Sequence, residues 1–212
     1  RNEQGRGVYT FCMCPGGYVV ASSSEEDTVV TNGMSEYARD GENANAALVV
    51  SVDASDFGSG VLDGVAFQRR LEQQAFVLGG KDYRAPAQSV KSYLEAATPD
   101  LSQAATTPSF SCGVQEADLH RLFPQQINQM LEQGLRRFNR RLPGFADADA
   151  VMTGVETRTS SPVRITRDAQ SFQALGMQGL YPCGEGAGYA GGIMSAAVDG
   201  VRIAQQIIGQ YA

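Results

Sequence analysis

The chain has 212 residues, room for one large domain or two small ones. Apolar residues make up 42 % and charged residues 19 %, a balance that sustains a packed core and argues against disorder. The net charge of −6 repels phosphate backbones, which speaks against nucleic acid as a partner, and no apolar run approaches the roughly 20 residues that span a bilayer, which speaks against a membrane.

The opening Arg1–Arg6 lacks both an initiator Met and the apolar stretch of a signal peptide. It reads as the start of a piece of something longer, with a processed mature protein as the alternative. Cys12, Cys14, Cys112 and Cys183 lack zinc-site spacing, and the only histidine, His120, is distant in sequence, so no metal site is expected. Four reduced thiols suit a cytoplasmic setting, and each is expected to be buried and inert.

Val8–Cys14 is β-rich and ends at a Pro15-Gly16-Gly17 turn. Tyr18–Ala21 and Thr28–Thr31 read as two further short strands, with Ser22–Asp27 as the hairpin loop and Asn32-Gly33 as the next turn. Together they predict a small antiparallel sheet. Ser35–Ala47 is polar and reads as an irregular loop, Leu48–Val52 as a buried strand, and Asp53–Gly64 as a loop.

Gly64–Leu78 has helical periodicity, with Val65, Phe67, Leu71, Ala75 and Leu78 inward and Arg69, Arg70, Glu72 and Gln73 outward. Gly79-Gly80 stops it. Ala87–Ala97 suits a short helix or a strand, and Thr98–Ser111 reads as an exposed excursion. Pro124–Arg140 is a long helix packing through Ile127, Met130, Leu131, Leu135 and Phe138, its basic end complementing the dipole. His120, amid Leu119, Leu122 and Phe123, reads as a partly buried structural residue. Ala150–Val155 is a strand, and Thr157–Arg167 a loop entering another. Gly179–Cys183 is a strand, Gly184–Gly192 a glycine-rich turn, and Gly192–Tyr211 a helix packing through Ile193, Ala196, Ala197, Val201, Ala204 and Ile208. The fold class is mixed α and β.

The turn holds Gly184, Gly186, Gly188, Gly191 and Gly192, and its Gly186–Gly191 stretch matches G-x-G-x-x-G. A dinucleotide fingerprint needs a second parallel strand after the helix and an acidic residue about 20 positions on, and only four residues follow Ile208. The match is therefore not expected to be a Rossmann site. Its local chemistry still favours a ligand: glycines admit close approach, and the helix-start amides near Ile193 offer donors to an electron-rich group. Glu185 repels phosphate but accepts from sugar-like hydroxyls. That pairing suits the ribityl chain and pyrimidine edge of a flavin. A second class of reading is a non-catalytic binding or interaction module using the same helix start for another anionic ligand.

Four stretches carry a resemblance. Phe11–Val20 (FCMCPGGYVV), Asn32–Val52 (NGMSEYARDGENANAALVVSV), Gly154–Ile165 (GVETRTSSPVRI) and Gly179–Ala204 (GLYPCGEGAGYAGGIMSAAVDGVRIA) are similar, in that order, to the C-terminal portion of uncharacterised FAD-dependent dehydrogenases related to glutathione-reductase-like flavoproteins. The resemblance implies FAD as cofactor, hydride transfer at the flavin, and a cofactor wall of Gly184, Glu185, Gly186, Gly188, Gly191, Gly192 and Ile193. Glu185 takes the acidic position that holds the ribityl chain, where the wider group commonly has Asp. It implies residues 1–149 as an inserted substrate-side domain with an antiparallel sheet and helices. Residues 150–212 would be the strand, glycine turn and helix returning to the FAD-binding domain. The partners implied are a small-molecule substrate and an N-terminal Rossmann half that this chain does not contain.

Candidates for chemistry follow. Cys12 and Cys14 precede a turn that could present a thiol. Arg39, Asp40, Glu42, Asn43 and Asn45 form a polar set in a loop between core strands, open either to substrate or to plain solvation. Arg158, Ser160 and Ser161, with Thr159 and Arg164, form a second set whose hydroxyls and guanidinium could approach flavin or substrate.

Overall fold

The computed structural model describes residues 5–211 and confirms mixed α and β architecture. The chain divides into two compact units. The first comprises Arg1–Asp56 and Arg69–Thr157, the second Phe57–Gln68 and Arg158–Ala212.

The first unit carries β1 (Val8–Cys14), β2 (Gly17–Ala21), β3 (Thr31–Ser35) and β4 (Asn45–Val50). β1 pairs antiparallel with β4, and β2 with β3, so the expected small antiparallel sheet is two separate ladders. The third strand also begins later than expected. Thr28–Val30 is almost wholly buried and sends its donors elsewhere: Val29 N–H to Glu72 O at 3.0 Å and Val30 N–H to Ser23 Oγ at 2.9 Å. With those donors spent, the ladder forms one step on, through Asn32-Gly33, which is strand rather than turn. A bulge between Phe11 and Cys14 puts Cys12 at φ 50°.

A short helix, α1 (Ala54–Phe57), precedes α2 (Asp63–Leu78), whose first turns belong to the second unit and whose remainder packs in the first. Leu71, Ala75 and Phe76 are buried on α2. Glu72, expected to face solvent, is buried as well. Positions 72, 75 and 76 share one face at helical spacing, and Thr157 Oγ1 donates to Glu72 Oε1 at 2.7 Å, satisfying the carboxylate inside. Gly80, at φ 100°, ends the helix while Lys81 N–H reaches Phe76 O at 3.0 Å.

The ambiguous Ala87–Ala97 stretch is both things in succession, β5 (Ala85–Ser89) and then α3 (Val90–Leu94). β5 is central in a three-stranded sheet, parallel to β6 (Val114–Glu116) and antiparallel to β7 (Val151–Thr153). The excursion at 98–111 is pinned rather than loose, because Phe110 is buried and Ser109 Oγ accepts Val19 N–H at 2.8 Å. The helix α4 (Gln125–Arg141) buries Ile127, Met130, Leu131 and Leu135 as its periodicity predicts, with Pro124 one position before its first turn.

His120 is indeed partly buried, stacked on Tyr93 at 4.1 Å between ring centroids. Its Nδ1 lies 3.1 Å from Asp118 Oδ1 and its Nε2 3.2 Å from Glu132 Oε1. Tyr93 is 1 % exposed and donates to Asn128 Oδ1 at 3.1 Å. Removing that hydroxyl strands a buried acceptor, so Tyr93→Phe is expected to lower the urea midpoint by the equivalent of about 1–3 kcal/mol with an unchanged slope.

In the second unit, α5 (Ile193–Tyr211) forms where expected, and Phe57 and Phe67 rings pack at 6.1 Å. Two expectations fail here. Gly179–Cys183 is not a strand, since no ladder partner for it exists among the described residues. The α5 face is also turned round. Asp199 and Ile203 are buried, whereas Ile193 (87 % exposed), Ala197, Val201, Ala204 and Ile208 are open. The buried carboxylate decides the rotation, because it must meet its cation.

Candidate functional site

The glycine-rich turn is held by the loop before it. Ser161 Oγ donates to Gly186 O at 3.1 Å, Ile165 N–H to Ala187 O at 3.2 Å, and Arg164 Nε to Gly188 O at 2.9 Å. Three successive carbonyls thus face one neighbour. Gly188 adopts φ 82°, and a Cβ there would overlap Val163 O, so glycine is required for the approach. The turn closes on itself through Gly188 N–H to Glu185 O and Tyr189 N–H to Gly184 O.

The opposite side is open. A Cβ built on Gly186 would meet nothing within 4 Å, and the first atoms met at Gly191 and Gly192 would be Ser160 Oγ and Ser195 Oγ, at 3.7 and 3.9 Å. The amides of Gly191, Gly192, Ile193, Met194 and Ser195 have no partner among the described residues, as the first turn of a helix requires. Glu185 is half-buried, and its carboxylate makes no hydrogen bond or ion pair among the described residues. Open glycine backbone, unspent amides and an unspent carboxylate fit a flavin edge with its ribityl hydroxyls.

Beneath the turn, Arg167 and Asp199 form a buried two-pronged ion pair, with N–O distances of 2.9 and 2.6 Å. The guanidinium and the Gly184 N–H hold the Asp199 carboxyl down at about 2. Arg167 also lies 3.7 Å from the Tyr189 ring centroid.

The structure sorts the sequence candidates. Ser160 and Ser161 stand beside Gly191 and Gly186, while Arg158 is exposed. Cys12, Cys14 and the polar loop lie in the first unit. There Arg39, Asp40 and Glu42 are exposed. Asn43 works structurally, its carbonyl accepting Gly17 N–H at 2.7 Å and its Nδ2 donating to Thr107 O at 3.1 Å. Asn45 packs against Gly33, with a buried and unpaired Nδ2. The thiols depart from expectation, because Cys12, Cys112 and Cys183 are exposed and only Cys14 is half-buried. No cluster of metal-ligating residues exists among the described residues.

Sequence reasoning passed over Glu156. Burial raises its carboxyl from 4.5 to about 7, into the range where acids and bases work at neutral pH. The folded state holds that proton longer than the unfolded chain does. Its contribution to stability is therefore intact below pH 4.5 and declines as pH rises through 7. Glu156→Gln is expected to flatten that decline in urea melts between pH 5 and about 8.

Residues 1–159 match the family described as FAD-dependent protein, C-terminal domain-like. An uncharacterized protein of Clostridium beijerinckii (strain ATCC 51743 / NCIMB 8052) is 49 % identical over 208 residues, covering 97 % of this chain and 38 % of that protein. The chain spans well under half the length of the curated relative it matches. No helix among the described residues is long and apolar enough to cross a membrane.

Proposed function

Because the chain belongs to the family of FAD-dependent proteins with this C-terminal domain, we propose that it forms one wall of the flavin site of a larger FAD-dependent dehydrogenase. The observation that carries the reading is the Gly184–Gly192 turn, with its carbonyls spent on one side and its backbone bare on the other. Glu185 would accept from the ribityl hydroxyls. The amides at Gly192 and Ile193 would donate to the pyrimidine edge and favour the electron-rich, reduced ring. Bound flavin would supply hydride transfer at its N5, while the chain positions and polarises. Ser160, beside Gly191, and the exposed Arg158 are the candidates in this unit for substrate contact. Arg39, Asp40 and Glu42 are the exposed candidates of the first unit.

The domain roles follow the same reading, with residues 1–149 facing substrate and residues 150–212 returning to the flavin. The remaining part of the full-length protein would supply the pyrophosphate-binding half, and we assign the open apolar face of α5 to it. A relative whose match covers only 38 % of its length has the chain to cover such a face. Hydrogen exchange tests this: α5 amides should be slower in the full-length protein than in these 212 residues, and equal rates would reject it. Four cysteines with no disulfide among them favour a cytoplasmic setting.

The visible spectrum of the full-length protein tests the central reading. Bands near about 370 and 450 nm after FAD addition are expected, and their absence rejects it. Calorimetry of FAD against the 212 residues separates the rival. Tight binding of some other anion by this chain alone, with no flavin in the full-length protein, would favour a non-catalytic binding module.

A further inference from the structure

We propose that Arg167, Asp199 and Tyr189 are positioning residues that set the shape of the glycine-rich turn for its cofactor, an inference that rests on the flavin reading above. Asp199 sits on α5, and beyond Arg167 its bond goes to Gly184 N–H at 2.9 Å, at the entry of the turn. Arg167 donates to Pro182 O at 2.7 Å, just before that entry. At the exit, the Arg167 guanidinium stacks on Tyr189, and the Arg167 backbone N–H donates to Tyr189 Oη at 2.9 Å. Arg164 covers the same ring at 5.1 Å and holds Gly188 O. The ion pair is thereby tied to both ends of the turn; the guanidinium also lies 5.0 Å from the Phe172 ring, Cys183 stands close enough to act on Arg167 electrostatically, and Arg202 does so on Asp199.

Energetics separate this role from simple fastening. A buried ion pair is about as stabilising as well-packed apolar residues of the same volume, or less so. Stability alone therefore gives no reason for charges here, whereas a rigid fork anchored at two ends fixes geometry. Without it, binding a cofactor must also order the turn, and that cost appears as lost affinity.

The test is the full-length protein carrying Arg167→Met together with Asp199→Leu, which removes both charges and leaves neither stranded. The expected result is a melting temperature close to the parent's, FAD bound about tenfold or more weakly, and a bound-flavin reduction potential moved negative, because the amides no longer face the ring. A purely structural pair would leave the potential unmoved. Arg167→Lys, which keeps the charge but loses the fork and the stacking, should move affinity and potential the same way, and it decides the matter should the double variant not fold. Unchanged affinity and potential in a protein that binds FAD overturn the positioning role alone. A parent that takes up no FAD overturns the flavin reading and this inference with it.

Discussion

Asp199→Ala is expected to destabilise the second unit by about 3–5 kcal/mol, because it strands the Arg167 guanidinium in a site with little water. The same change takes the acceptor from Gly184 N–H, so the entry of the glycine-rich turn loosens with the helix. Asp199→Asn keeps the volume and an acceptor for that amide, and should recover part of the loss. The pH dependence has a definite sign. The carboxyl stands at about 2 in the folded protein against an ordinary 3.8, so its contribution is complete above pH 3.8 and is lost as the pH falls through 2. Urea unfolding followed by circular dichroism, at neutral pH and near pH 3, measures both effects. A loss below about 1 kcal/mol for Asp199→Ala would contradict the buried pair.

Gly188→Ala should be nearly as severe and for a different reason. The residue is at φ 82°, a region costing a side chain about 1–2 kcal/mol. The added Cβ would also overlap Val163 O and stand 2.9 Å from Arg164 Cα, and both are backbone atoms that must shift. Overpacking of that kind adds about 1–3 kcal/mol. The strain falls on the three bonds from Ser161, Arg164 and Ile165 that orient the turn, so flavin retention in the full-length protein should drop with stability. Gly186→Ala is the control, since its Cβ meets nothing within 4 Å. It should leave folding near the parent's and weaken FAD by occupying the open side.

The long amphipathic segments were legible in the sequence, because periodicity and glycine or proline punctuation act locally. α2, α4 and α5 all stand within a residue or two of the expected bounds. Pairing was not legible. Nothing in Thr28–Val30 shows that its donors go to Glu72 O and Ser23 Oγ, so its β-branched run suggests a third strand that starts earlier than the ladder does. Burial of charge was equally hidden. Glu72 and Asp199 look like solvent-facing helix residues until Thr157 and Arg167 arrive from distant parts of the chain to meet them. Within the candidate site, the glycines and the neighbouring serines could be named from composition. The parts that brace them, Arg167, Tyr189 and Asp199, carry no local signature.

The second unit is assembled from two stretches, Phe57–Gln68 and Arg158–Ala212, with Arg69–Thr157 between them. On the ribosome the early stretch emerges long before the residues it will pack with, so it must wait while the intervening block is made and folds. Closing so long a loop is an entropic cost met only once Ser160 and Pro162, which meet Gln68 and Gly64, have been made. The glycine-rich turn, further along the chain than every residue of the first unit, is thus made after that unit is complete. A truncation at Thr157 would leave the early stretch permanently without its partners, exposed to proteases and to aggregation, while the first unit keeps all of its residues.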